Sequence, residues 1–208
     1  MTTSRFTALL ASMLVAVAAA SCGASAPARF YTLDSKATAS GTPAAAYGNL
    51  GNLGNVGVVI GLVSVPSAVD RPQLVVQVAP NRVEIDEFNR WAAPLNESIA
   101  GAVAADLSVL LGTPNVVTAP RANLDPSYRV TIDVQRFDSI PGEAATIEAV
   151  WAVSRTTGGQ IRSGRTIAHE PVAGKGFDEL VAAHGRALTR LSQDIAAAIR
   201  ASAADTSR

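Results

Sequence analysis

The chain has 208 residues, 48% of them hydrophobic and only 5% aromatic. Its 17 Lys and Arg balance 17 Asp and Glu, so no basic excess points to nucleic acid. A single cysteine excludes an internal disulfide, and two histidines leave few soft ligands for a metal.

The chain opens MTTSRFTALLASMLVAVAAASCG, and after Arg5 it carries no charge from Phe6 to Ser21. A run of about 16 residues is short for a membrane span and suits a secretory signal over 1–21. The competing reading is an uncleaved anchor. The small residues Ala18, Ala19, Ala20 and Ser21 favour cleavage. Cys22 follows directly, and Ala19-Ala20-Ser21-Cys22 resembles a lipobox, where the signal is removed and the cysteine acylated. Ala19 replaces the usual Leu, and Ser21 the commoner Gly or Ala. Ordinary cleavage leaving a free thiol is the alternative. Gly23, not Asp, stands second in the mature chain, which by resemblance to bacterial lipoproteins favours the outer membrane.

Residues 22–56 form the lipidated N-terminal segment. Phe30–Leu33 predicts a short strand, and the Ala-, Gly- and Ser-rich text from Ser35 to Asn55 predicts a linker or loop. Its GNLGNLG repeat matches no phosphate-loop spacing. A folded domain is expected over 57–201, with a frayed tail at 202–208. Gly57–Val65 is β-branched and predicts a strand closed by Pro66. Leu74–Val78 and Val83–Ile85 predict a hairpin around Pro80-Asn81-Arg82. Leu95, Ile99, Val103, Leu107 and Leu111 recur at helical spacing between Pro94 and Gly112. Asn115–Thr118 is a short strand candidate. Tyr128–Phe137 alternates cleanly, Thr146–Ser154 follows after Pro141-Gly142, and Gln160–His169 reads as a more polar edge strand after Thr157-Gly158-Gly159. Acidic Asp178 and Glu179 open a long helix with Leu180, Ala183, Ala187, Leu191, Ile195 and Ile199 along one stripe. The fold class is α+β: a mainly antiparallel or mixed sheet of about five or six strands packed with two helices.

Chemistry is sparse. His169 and His184 make no metal spacing, and no GxSxG elbow is present. Glu84, Asp86 and Glu87 are read as a solvated face, with Arg82 and Arg90 nearby. Trp91, just before the helix, either packs between sheet and helix with its indole N–H bonded to a carbonyl, or forms a partner hot spot.

Asp70-Arg71-Pro72-Gln73-Leu74-Val75, Asn81-Arg82-Val83, Glu87-Phe88 and Arg90-Trp91-Ala92-Ala93-Pro94-Leu95 closely resemble the ABC-type transport auxiliary lipoproteins, including the paraquat-inducible protein C (PqiC) type. Val63-Ser64-Val65-Pro66, Tyr31-Thr32-Leu33 and Leu180-Val181-Ala182-Ala183-His184 share that likeness, which runs from Cys22 to about Arg200. Ala93 stands where the family often has Glu. The resemblance implies a non-enzymatic periplasmic domain, without cofactor or metal, lipid-anchored through Cys22 at the outer membrane. Its implied partners are a mammalian-cell-entry (MCE) protein and an inner-membrane transport component of an envelope lipid transport system. Arg82, Glu87, Arg90 and Trp91 are the candidate partner-binding residues. Nothing in the residues counts subunits, and a homo-oligomer is compatible with them. A periplasmic domain that itself carries a lipid or small ligand is the alternative, marked by an enclosed apolar cavity. A hydrolase would need a nucleophile and a histidine in a polar cleft.

Overall fold

The computed structural model describes residues 26–34, 37, 56–118 and 125–205. The signal segment, Cys22, the text from 38 to 55 and residues 206–208 lie outside them. Among the described residues there are eight strands and two helices: β1 Arg29–Tyr31, β2 Val58–Ser64, β3 Gln73–Ala79, β4 Arg82–Trp91, α1 Leu95–Leu111, β5 Val116–Val117, β6 Tyr128–Ile140, β7 Ala144–Arg155, β8 Arg162–Pro171 and α2 Phe177–Ala204. The fold is α+β, as the periodicities predict. The strands divide between two sheets, ordered β1-β4-β3 and β5-β2-β6-β7-β8.

In the larger sheet β6, β7 and β8 form an antiparallel meander. Gly142, at φ 73°, takes the left-handed turn position between β6 and β7, which glycine occupies without a Cβ clash. β2 pairs parallel with both β5 and β6. Its residues Val58, Val59 and Ile60 are buried on both faces, as parallel strands usually are. The alternation along β6 turns Tyr128, Val130, Ile132 and Val134 inward, and Arg129, Thr131, Asp133 and Gln135 outward.

α2 lies over the inner face of β7 and β8. Its whole predicted stripe, Leu180 to Ile199, has no solvent exposure. α1 packs beside it; Arg200 donates to the Leu110 carbonyl at 2.5 Å and ties the helix ends together. Pro94 is the residue before the first turn of α1, and Ser98 N–H reaches its carbonyl at 2.9 Å. Gly112 ends α1 in the left-handed conformation, with its N–H returning to Ser108 O.

The N-terminal strand is docked. Arg29, Phe30 and Tyr31 run parallel to Asn89, Arg90 and Trp91, and Tyr31 Oη donates to Asn89 Oδ1 at 2.9 Å. Farther along, Ala37 N–H donates to the buried Asp106 carboxylate of α1 at 3.0 Å. The start of the predicted linker is therefore held against the domain at residue 37.

Candidate functional site

The stretch from Asp70 to Leu95 forms the β3–β4 hairpin and the entry to α1. Pro80 and Asn81 make its two-residue turn. At the other end, Trp91 N–H donates to Pro72 O at 2.7 Å, and Ala92 N–H to Tyr31 O at 2.8 Å. These two bonds join all three strands of the small sheet just where the chain turns into α1. Trp91 faces inward, 5% exposed, and meets Phe137 edge-on at 6.1 Å and 77°. Phe137 in turn stacks on His184 of α2, with ring centroids 4.0 Å apart and planes within 3°. The run Trp91–Phe137–His184 thus staples the small sheet to the large sheet and to α2. No hydrogen bond to the Trp91 indole occurs among the described residues, so packing alone seats it there.

The other candidate partner residues fall at two places on β4. Arg82 is exposed at the hairpin turn. Glu87 and Arg90 sit together near the opposite end, 3.6 Å apart, and Gln73 donates to Glu87 at 3.3 Å. Arg90 Nε also donates to Glu87 O at 3.0 Å. An exposed pair of this kind contributes little stability. Asp86 has a backbone role: its carboxylate accepts from Phe88 N–H at 2.9 Å and Asn89 N–H at 2.8 Å. That holds the irregularity where Gln73 pairs with Arg90 while Leu74 pairs with Asp86. Sequence reasoning overlooked the apolar side of this hairpin: Val83, Ile85 and Phe88 are all exposed. Val83 and Ile85 flanking polar residues were the available signal.

Each histidine meets a hydroxyl. His184 Nε2 is 2.8 Å from Ser139 Oγ, and both side chains are buried. A hydroxyl within reach of an imidazole is the first geometric element of a nucleophile–base pair. The second is missing, because His184 Nδ1 has no hydrogen-bond partner among the described residues and no acid orients the ring. Burial lowers its pKa from 6.5 to about 3, which leaves a neutral, weakly basic imidazole. With Nε2–H donating to Ser139, the orphaned atom is an acceptor, which is less costly to bury than an N–H. His169 is exposed on β8, its Nδ1 2.8 Å from Thr146 Oγ1. No group of three or more metal-ligating side chains gathers among the described residues.

Among the described residues, clefts open at two places on the surface. One, of about 260 Å³, lies between β1 and the start of α2, lined by Phe30, Tyr31, Thr32, Asp34, Asp178 and Val181. The other, of about 150 Å³, lies between the hairpin and β6, with Val69, Val75, Val83 and Phe137 in its walls. Large side chains including Ile60, Leu107, Ile132, Ile147, Leu188 and Leu191 fill the centre.

The architecture is that of a two-sheet α+β domain, with a packed core and an N-terminal strand held at the edge of the smaller sheet. The chain belongs to the ABC-type transport auxiliary lipoprotein component family, whose model matches residues 31–196. That family is described as an accessory part of a transporter and as a lipoprotein, which supports a membrane-anchored place in the envelope. No helix among the described residues is long and apolar enough to cross a membrane. The fold is shared with a Xanthomonas campestris protein of the DUF330 family at 19% identity and a TM-score of 0.67, covering 86% of this chain and 99% of that one. It is shared also with a solved protein described as uncharacterized, at 21% identity and a TM-score of 0.66, covering 84% and 99%. At these identities the likeness concerns the fold alone. No curated protein matches the chain.

Proposed function

We propose that the chain is a non-enzymatic lipoprotein subunit of an MCE-type, ABC-transport-associated lipid transport system, anchored at the outer membrane through acylated Cys22. The observation that carries this reading is the family match over residues 31–196, joined to a lipobox-like Ala19-Ala20-Ser21-Cys22 ahead of it. The mechanism is tethering. Several acyl chains, at about 0.8 kcal/mol per buried CH₂, hold the protein at the bilayer, while the folded domain docks an MCE protein and, through it, the inner-membrane component. The docking residues proposed on β4 are Arg82 at the hairpin turn and the Glu87–Arg90 pair. Trp91 supports them from inside the core.

The cargo-carrying alternative asks for an enclosed apolar cavity of several hundred Å³. The two clefts described above, of about 260 and 150 Å³, are smaller than that and open to solvent. The anchor is tested with Cys22→Ser and membrane fractionation. The variant should fold, with an unchanged melting curve, and leave the membrane fraction on salt washing. A variant expressed with its signal removed that is still membrane-bound after the wash contradicts the anchor.

A further inference from the structure

The domain has two poles that stand at different distances from Cys22. β1 begins at Arg29, seven residues after Cys22, and is fixed in register against Asn89–Trp91. An extended chain advances at most about 3.6 Å per residue, so this leash reaches about 25 Å at full stretch. α2 starts at the same pole: the Phe177 ring lies 6.2 Å from the Tyr31 ring, and Asp178 and Val181 share the cleft with Phe30. The helix then runs for 28 residues, about 42 Å at 1.5 Å per residue. At its far end Asp205 pairs with Arg162, and Ser202 O accepts from Arg155. Arg155 and Arg162 flank the β7–β8 turn, so Thr157–Gly159 marks the opposite pole.

The near pole carries two exposed aromatic rings, whereas the β7–β8 turn exposes the aliphatic Ile161. Phe30 is 65% exposed and Phe88, one residue before the register partner of Arg29, is 46% exposed. Arg29 is exposed as well, and Arg90 lies beside Phe30 in register. Exposed aromatic rings with guanidinium groups suit the lipid headgroup layer, where rings sit among the acyl–headgroup boundary and Arg pairs with phosphate. We infer that the pole formed by β1 and the end of β4 rests on the bilayer surface, with Phe30 and Phe88 seated in it, and that the β7–β8 turn points away. This rests on the reading that Cys22 is acylated. It also narrows the docking face given above: the Glu87–Arg90 pair goes to the membrane side, and Arg82 alone remains for a protein partner.

The test uses the mature acylated protein, in which Cys22 has no free thiol. Phe30→Cys, Phe88→Cys and Thr157→Cys are each labelled with an environment-sensitive fluorophore and reconstituted on phosphatidylethanolamine–phosphatidylglycerol vesicles containing quencher-bearing lipid. The mass of the N-terminal peptide is read from the same sample. Quenching at positions 30 and 88 should exceed that at 157 at least three-fold. Equal quenching at all three positions, or none at 30 and 88, in acylated protein overturns the orientation. A mature N-terminus without acyl chains overturns the anchor reading itself.

Discussion

Gly164 of β8 lies directly under the indole of Trp151 on β7, its register partner. A Cβ built at Gly164 would stand 2.8 Å from Cη2 and 2.9 Å from Cε2 of that ring, closer than real Cβ atoms come. The indole cannot lift away freely, because its Nε1–H donates to Thr166 Oγ1 at 3.0 Å. Gly164→Ala should therefore destabilise the domain by about 1–3 kcal/mol through overpacking, read as a lower midpoint in urea. Gly101 of α1 supplies the contrast. It faces open space, with nothing within 4 Å of an added Cβ, so Gly101→Ala should stabilise by about 0.5–1 kcal/mol. Equal effects at the two sites would contradict this packing.

Thr166 links that indole to α2. Its hydroxyl accepts from Trp151 and donates to Asp194 Oδ2 at 2.6 Å. Thr166→Val keeps the volume and leaves the buried Trp151 indole N–H unmatched, while the exposed Asp194 carboxylate turns to water, which should cost about 1–3 kcal/mol. Thr166→Ser should recover most of it. A valine variant as stable as the parent in chemical denaturation would contradict a stabilising bond from the indole to Thr166.

His184 makes the domain acid-sensitive. Burial depresses its folded pKa from 6.5 to about 3. The unfolded chain therefore binds a proton that the folded chain refuses. Its full contribution is present above pH 6.5 and is lost as pH falls toward 3. At pH 5 the loss is about 2 kcal/mol, from 1.5 pH units at 1.36 kcal/mol each. His184→Phe should flatten the stability profile between pH 7 and 5 relative to the parent. An identical slope in both proteins would place the acid sensitivity elsewhere.

Arg82 separates docking from stability. It is exposed at the hairpin turn, and a surface substitution of this kind shifts stability within about 0.5 kcal/mol. Arg82→Glu should leave the melting temperature unchanged and reduce crosslinking to the partner several-fold. Undiminished crosslinking would remove the hairpin turn from the docking face.

The local elements were legible because their patterns are local. The alternation from Tyr128 to Val134 reports its inward face directly, and the Leu180–Ile199 stripe reports the buried side of α2. Gly112 announces the end of α1 because only glycine takes φ 66° without strain. Long-range pairing was not legible. β2 lies parallel to β5 and β6, partners distant in the chain, and the run of buried Val58, Val59 and Ile60 hinted at a parallel strand without naming them. The small sheet gains its third strand from β1, which docks on β4 through a three-residue register. Trp91 reads from the sequence as packing between sheet and helix, ahead of a partner hot spot, but its neighbour Phe137, itself stacked on His184, was not legible there. The Gly164–Trp151 contact needs the β7–β8 register, which no residue spacing supplies.

As proposed above, this domain is the docking part of an envelope transport assembly. The direct measurement is crosslinking in intact envelopes of the source cell, with capture through the C-terminal end and identification of the crosslinked chains. An MCE-domain protein is expected among them, with a several-fold lower yield from Arg82→Glu at equal protein level. Recovery of neither an MCE protein nor a transporter component, from a protein shown to be folded and membrane-bound, would contradict it.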